Sequence, residues 1–174
     1  MTDLSTSRLD LRAPVAGDYA DFRRLDGDPR VMRYVGDGKT RSAEVTALAL
    51  RRFLRYPVIY AGLGVWHATR RDDGAFVGLF ALIYAGRSVD IEVGYRLLPE
   101  AWGQGFATEG ARALVRYGFD DLGLERIIGV THRDNRASQR VLLKAGLADR
   151  GWGRYYGRRV RLFAVERPEA VSSR

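Results

Sequence analysis

The sequence predicts a single α/β domain built on one mixed, mostly antiparallel sheet flanked by helices. Three observations carry this. From residue 60 to residue 97, apolar positions recur with period two over three successive segments separated by turn residues. Between residues 107 and 119 the apolar positions switch to helical spacing. A strand pattern then returns at Arg126 to Val130, so strand, helix and strand form a crossover that sets two strands parallel.

The elements follow in order. Leu9 and Leu11 alternate with polar neighbours and mark a first strand, closed by Pro14. A short helix begins near Asp18 and ends by Gly27, and Asp28-Pro29 opens another through Tyr34. Thr40 or Ser42 can cap a longer helix with Val45, Leu48 and Phe53 on its apolar side, which Pro57 ends. A strand from Tyr60 to Thr69, a turn at Arg71 to Gly74, a strand from Phe76 to Tyr84, a turn at Gly86 and a strand from Val89 to Leu97 read as an antiparallel meander. The next helix carries Ala107, Ala111, Leu114, Val115 and Phe119 on its core side and stops at Gly123. After the Arg126 to Val130 strand, a shorter helix spans Ala137 to Ala145, capped by Asp134 or Asn135 and ended by Gly146. A last hairpin, Ala148 to Tyr156 and Val160 to Glu166, turns at Gly157. Residues 1–167 make one domain, and a mobile tail is expected from Pro168.

Composition narrows the chemistry. A chain of 174 residues with 46% hydrophobic content supports one well-buried core. It has no cysteine, so disulfides, thiolate nucleophiles and cysteine-based zinc sites are excluded together. With His67 and His132 as the only histidines and no GxSxG, neither a histidine-rich metal site nor a serine hydrolase is indicated. His67, inside a strand, reads as a structural histidine rather than a catalytic base. No stretch is long and apolar enough for a membrane helix and the N-terminus has no apolar signal core, so a cytoplasmic location without membrane partners is expected. The formal charge of +8 raises the question of nucleic acid. The arginines are scattered from Arg8 to Arg174, with no RNP-type motif, finger spacing or aromatic-interleaved basic helix. A general surface charge is the favoured reading, with the dense stretch Arg150 to Arg161 suited to steering an acidic partner or a phosphate.

The most informative segment is Ile91 to Gly110, where a strand runs through a glycine-punctuated turn into the first turn of a helix. The first N–H groups of a helix lack intrahelical acceptors and the helix dipole favours an anion there, so this joint suits a phosphate. Gly103 and Gly105 let backbone approach such a ligand closely. The turn has no lysine and no GK[ST], and Thr108 stands at the third glycine of a dinucleotide fingerprint.

What remains, Trp102-x-x-Gly105-x-Ala107, resembles the pyrophosphate loop of the GCN5-related N-acetyltransferase (GNAT) superfamily, (Arg/Gln)-x-x-Gly-x-(Gly/Ala), with Trp102 replacing the usual Arg or Gln as in the RimJ/RimL-like branch. Two further places share the likeness. Asn135-Arg136-Ala137-Ser138, followed by Gly146-Leu147, resembles the family's Asn-x-x-(Ala/Ser) helix closing with Gly-(Phe/Leu). Ser7-Arg8-Leu9-x-Leu11-Arg12 is similar to the opening of RimJ/RimL-like chains.

The resemblance implies a GNAT-like sheet in which two parallel strands splay apart, acetyl-CoA as donor and a primary amine as acceptor. Direct attack in a ternary complex is expected, with no metal. Backbone N–H groups of Gly103, Gln104, Gly105, Phe106, Ala107 and Thr108 would hold the pyrophosphate. Strand backbone at Tyr95, Arg96 and Leu97 would pair with the pantetheine arm, which Asn135 would help to anchor. Glu92 is the candidate base that makes the amine neutral; its other reading is an ion pair with an arginine on the Asp90/Glu92/Arg96 face. Ser138 is the candidate acid for the CoA thiolate, because Leu142 stands where many members have tyrosine; its other reading is a backbone cap. The glutamate that RimL-like enzymes pair with this serine corresponds to Gly157 here. Tyr155 or Tyr156, only one of which should point inward by strand alternation, could line the acceptor groove. A protein N-terminus, a polyamine, an aminoglycoside or another small amine all fit as acceptor. Two other readings are a non-catalytic acyl-CoA-sensing domain and, less favoured, a basic nucleic-acid-binding module. An exposed edge strand in the final hairpin leaves room for a homodimer.

Overall fold

The computed structural model describes residues 1–168; nearly all of the expected mobile tail, residues 169–174, lies outside the described residues. The elements run β1 (Leu4–Ser5), β2 (Leu9–Arg12), α1 (Tyr19–Gly27), α2 (Pro29–Met32), α3 (Ala43–Ile59), β3 (Gly64–Arg70), β4 (Phe76–Tyr84), β5 (Ile91–Leu97), α4 (Phe106–Asp120), β6 (Arg126–Thr131), α5 (Arg136–Lys144), β7 (Ala148–Tyr155) and β8 (Arg158–Glu166). One eight-stranded sheet has the order β1-β2-β3-β4-β5-β6-β8-β7. Every neighbouring pair is antiparallel except β5 and β6, which are parallel and meet at the single register pair Glu92 and Ile128. Beyond that pair they part, as the two splayed strands of the expected fold do.

Alternation along β5 divides its residues between two layers. Ile91, Val93 and Leu97 join a core with Phe80, Leu114, Ile127 and Phe163 beneath α4. There the backbone of α4 comes so close that a Cβ on Gly110 would meet the Phe80 ring at 2.3 Å. The opposite layer packs Phe22, Leu25 and Leu50 from α1 and α3 on Val65 and Leu79. Glu92, Gly94 and Arg96 face this second layer.

The structure departs from the expected elements where polar bonds override hydropathy. Val45 and Leu48 are 48% and 68% exposed, and the buried side of α3 is Thr46, Leu50 and Tyr56. The Thr46 hydroxyl donates to buried Asp26 at 3.0 Å, an attraction that apolar spacing does not register. Ser42 is the cap, and α3 runs past Pro57 to Ile59, so β3 begins at Gly64 rather than Tyr60. A proline in the last turn removes one N–H, while Tyr56 is fixed because its hydroxyl accepts the Tyr84 N–H at 2.9 Å. β5 starts at Ile91, and β1 is too short to leave a pattern. Among the described residues no helix is long and apolar enough to cross a membrane.

Candidate active site

The glycine turn is held from three directions. Gly103 and Gly105 have φ of 74° and 84°, the left-handed region that glycine enters without a Cβ clash. The Trp102 indole Nε1 donates to the Leu97 carbonyl at 2.9 Å, and Gln104 Nε2 donates to the Glu100 carbonyl at 2.7 Å. From the far end of the chain, Arg8 donates to the Gln104 carbonyl at 2.9 Å and lies over the Phe106 ring. Glu109 completes the clamp by accepting from Thr6 Oγ1, Ser7 Oγ, the Arg8 N–H and Arg8 Nε at 2.6 to 3.0 Å. Burial pushes the Glu109 carboxyl up, yet these donors outweigh it and hold it below its ordinary value. The opening Ser7-Arg8-Leu9 motif is thus a tether for the helix that follows the turn.

This geometry fits a pyrophosphate. Among the described residues, the N–H groups of Gly103, Gln104, Gly105, Phe106, Ala107 and Thr108 donate to no backbone carbonyl outside the helix, and Glu109 is the first to do so. A Cβ on Gly103 would meet nothing within 4 Å. A pocket of about 530 Å³ bordered by Ser7, Arg8, Arg70, Arg71, Gln104 and Phe106 adjoins the turn.

Between β5 and β6 the backbone is open. The Leu98 N–H bonds to the Val77 carbonyl on β4, so by alternation Tyr95 and Leu97 turn their backbone groups toward β6. Arg96 does not: its carbonyl faces β4, where a Cβ on Gly78 would meet it at 2.3 Å. Of the three residues expected to offer backbone, Tyr95 and Leu97 face the open edge and Arg96 does not. The Arg96 side chain lies in the second layer, where Nη1 bonds fully buried Asp26, which Arg41 approaches at 3.4 Å.

Glu92 and Ser138 approach the splay from opposite layers. Glu92 is half-buried, and its carboxylate accepts from the Tyr156 hydroxyl and from the Val130 N–H on β6. Burial outweighs both bonds and pushes its pKa up to about 7. The expected alternative of an arginine partner is not what the structure contains: Arg96 pairs with Asp26, and Arg126 pairs with Asp90 at 3.0 Å. On the other side, Ser138 Oγ lies 3.0 Å from the Tyr95 hydroxyl, whose burial pushes its pKa well up. The backbone cap is not Ser138: Asn135 Oδ1 accepts the Ser138 N–H at 3.1 Å. That bond also engages one end of the Asn135 side chain that was expected on the pantetheine arm.

The tyrosine pair breaks the alternation rule. Tyr155 donates at 2.7 Å to Asp90, just before β5, and Tyr156 donates to Glu92 on β5. Both reach the start of β5 because Tyr156 leaves the strand with φ of 54°. Neither this nor the Tyr95 hydroxyl is visible in sequence; the only signal is a Tyr-Gly pair at a hairpin tip. His67 is buried on β3, with Nε2 2.8 Å from Asp21 Oδ2 and 3.8 Å from Asp18. Asp18 is itself held by Arg12 through both oxygens, consistent with the structural reading of His67. Arg159 and Arg161, from the dense basic stretch, stack over Trp152, with Arg161 also bonded to Asp149.

Residues 8–148 match the family model of the acetyltransferase (GNAT) domain, a class to which the fold and the glycine turn conform. The chain belongs to the GCN5-related N-acetyltransferase family and is an N-acetyltransferase. It is 35% identical over 153 residues to the FsC-acetyl coenzyme A-N(2)-transacetylase of Aspergillus fumigatus, a match covering 83% of this chain and 64% of that relative. Against the uncharacterized N-acetyltransferase YoaA of Bacillus subtilis it is 34% identical, with 88% and 86% covered. Among solved structures, RimL, a ribosomal L7/L12 alpha-N-protein acetyltransferase in complex with coenzyme A, shares the fold with a TM-score of 0.79 at 16% identity over 95% of this chain and 98% of that one.

Proposed function

We propose that the protein transfers acetyl from acetyl-CoA to a primary amine by direct attack within a ternary complex, with Glu92 as base and Ser138 as the proton donor to the leaving thiolate. The observation that carries this reading is the splay of β5 from β6 with Glu92 at its closed end, its pKa pushed up to about 7. A carboxyl with that value is substantially ionised near neutral pH and still basic enough to take a proton from an ammonium. The neutral amine then attacks the thioester carbonyl, forming the C–N bond. The oxyanion is met by an N–H on the open edge of β5, from Tyr95 or its edge neighbours. As the C–S bond breaks, the thiolate takes a proton from Ser138, which the neutral Tyr95 hydroxyl replenishes. The surplus proton of the attacking nitrogen leaves to water as the amide forms, water returns one to Tyr95, and Glu92 releases its own to solvent.

Pyrophosphate would lie on the free N–H groups from Gly103 to Thr108, and the pantetheine arm along Tyr95 and Leu97. A free-thiol release assay with acetyl-CoA tests this against a panel of N-terminal peptides, spermidine, an aminoglycoside and FsC, the compound in the name of the 35% identical relative. Amine-dependent thiol release is expected, falling on Glu92→Gln and, separately, on Ser138→Ala. Full activity in both variants would end the assignment of these residues. Acetyl-CoA binding with no release to any amine would favour a sensing domain.

A further inference from the structure

The β7–β8 turn carries a tyrosine where hairpins rarely tolerate one. Tyr155 pairs with Arg158, leaving Tyr156 and Gly157 as a two-residue loop with φ of 54° and 72°, the signature of a turn that favours Asn-Gly or Gly-Gly. For a bulky L-residue the left-handed region is disfavoured, because Cβ crowds the following carbonyl. Core packing does not account for the choice, since Tyr156 is 54% exposed, with its ring edge against Gly86. Its hydroxyl, by contrast, ends on the Glu92 carboxylate. Strained residues that persist on a surface are held there by what their side chains do.

We propose that Tyr156 is the positioning residue for Glu92: the strained turn is retained because its phenol fixes the carboxylate at the closed end of the β5–β6 splay. This rests on the reading of Glu92 as the base. The two donors on Glu92, Tyr156 from the turn and the Val130 N–H from β6, hold the carboxylate from two elements. The charged groups around it and the Tyr155 hydroxyl are already engaged. Asp90 and Arg126 pair with each other, Tyr155 donates to Asp90, Arg96 is bound to Asp26, and the Tyr56 hydroxyl of α3 accepts from Tyr84. Among these groups the Tyr56 hydroxyl alone keeps a proton to donate, and it sits on α3 rather than on the turn, so the Tyr156→Phe titration reads the loss of the turn's own donor.

Two variants test the proposal. In Tyr156→Phe the ring and turn remain and only the donor goes. Carbon-13 NMR of the glutamate side chains should show the Glu92 titration moving up by roughly one pH unit, the worth of a hydrogen bond to a charged group. The ascending limb of kcat/KM should move with it, so that activity falls several-fold at pH 7 and recovers above pH 8, with KM for acetyl-CoA unchanged. In Tyr156→Asn the turn is relieved and the donor removed. Its melting temperature at pH 5.5 should rise by a few degrees over wild type, while the titration shifts as in the phenylalanine variant. An unmoved Glu92 titration in Tyr156→Phe overturns the proposal, and an asparagine variant that melts below wild type overturns the strain argument on which it stands. Because the NMR titration reads Glu92 itself, it is independent of the base assignment: a fully active Glu92→Gln enzyme would remove the base and leave the Tyr156 result intact.

Discussion

Replacing Glu92 by glutamine should make the enzyme more stable and far less active at pH 8. Burial raises the Glu92 carboxyl from 4.5 to about 7. Between those values the folded protein holds a proton that the unfolded chain has released, so stability falls as pH rises through that window, and the whole cost is present above it. At about 1.4 kcal/mol per tenfold, the cost before screening is about 3.5 kcal/mol. Glu92 retains some solvent contact, and screening there reduces the cost to about 1–3 kcal/mol. Glutamine cannot ionise and escapes it. For a domain of this size the gain corresponds to a melting temperature roughly 3–10 °C higher at pH 8, shrinking toward zero at pH 5. Over the same range, kcat should fall by about 10²–10⁴, the usual worth of a general base. Thermal unfolding of both proteins from pH 5 to pH 9, followed by circular dichroism, measures the first effect and thiol release the second. Parallel stability curves would refute the argument that Glu92 is desolvated, and unchanged kcat would refute its role.

Other expectations follow from the clamps around the site. Glu109→Gln should cost about 1–2 kcal/mol at pH 7 in urea unfolding, because four donors lose an ionised acceptor. Glu109 is held below its ordinary value, so this contribution is present above the unfolded carboxyl range and disappears as pH falls through the folded value; the two proteins should converge once the pH is well below the ordinary carboxyl range. Trp102→Phe keeps the ring but removes the bond to the Leu97 carbonyl, and should raise KM for acetyl-CoA several-fold with kcat little changed. Asp26→Asn strands Arg96 and Arg41 beside a neutral group, and a loss of about 3–5 kcal/mol should appear in chemical denaturation. A loss below 1 kcal/mol there would mean the arginines find other partners.

The donor half of the site was legible because backbone does the work. Glycines at 103 and 105 and the strand-to-helix joint are constraints on φ and on unpaired N–H groups, and both are written in local sequence. The meander and the parallel crossover followed from hydrophobic periodicity, whereas the seating of β8 between β6 and β7 is a long-range pairing that no local pattern marks. Side-chain partners were not legible. The Tyr156–Glu92 and Tyr95–Ser138 bonds join residues 64 and 43 positions apart, and no local period marks them. On α3 the inward side is set by Thr46, drawn to Asp26 on α1, and hydropathy assigns that side to Val45 and Leu48 instead. Alternation failed at Tyr156 because it assumes extended backbone, and that residue is left-handed.

The central claim, that Glu92 receives the amine's proton, is tested most directly by the pH dependence of kcat/KM for two acceptors whose own amine pKa values differ by at least two pH units. If the limiting group is Glu92, the ascending limb stays near pH 7 with both acceptors and is absent in Glu92→Gln. A limb that follows the acceptor's pKa and survives in Glu92→Gln would show that the amine loses its proton to water, and would contradict the account.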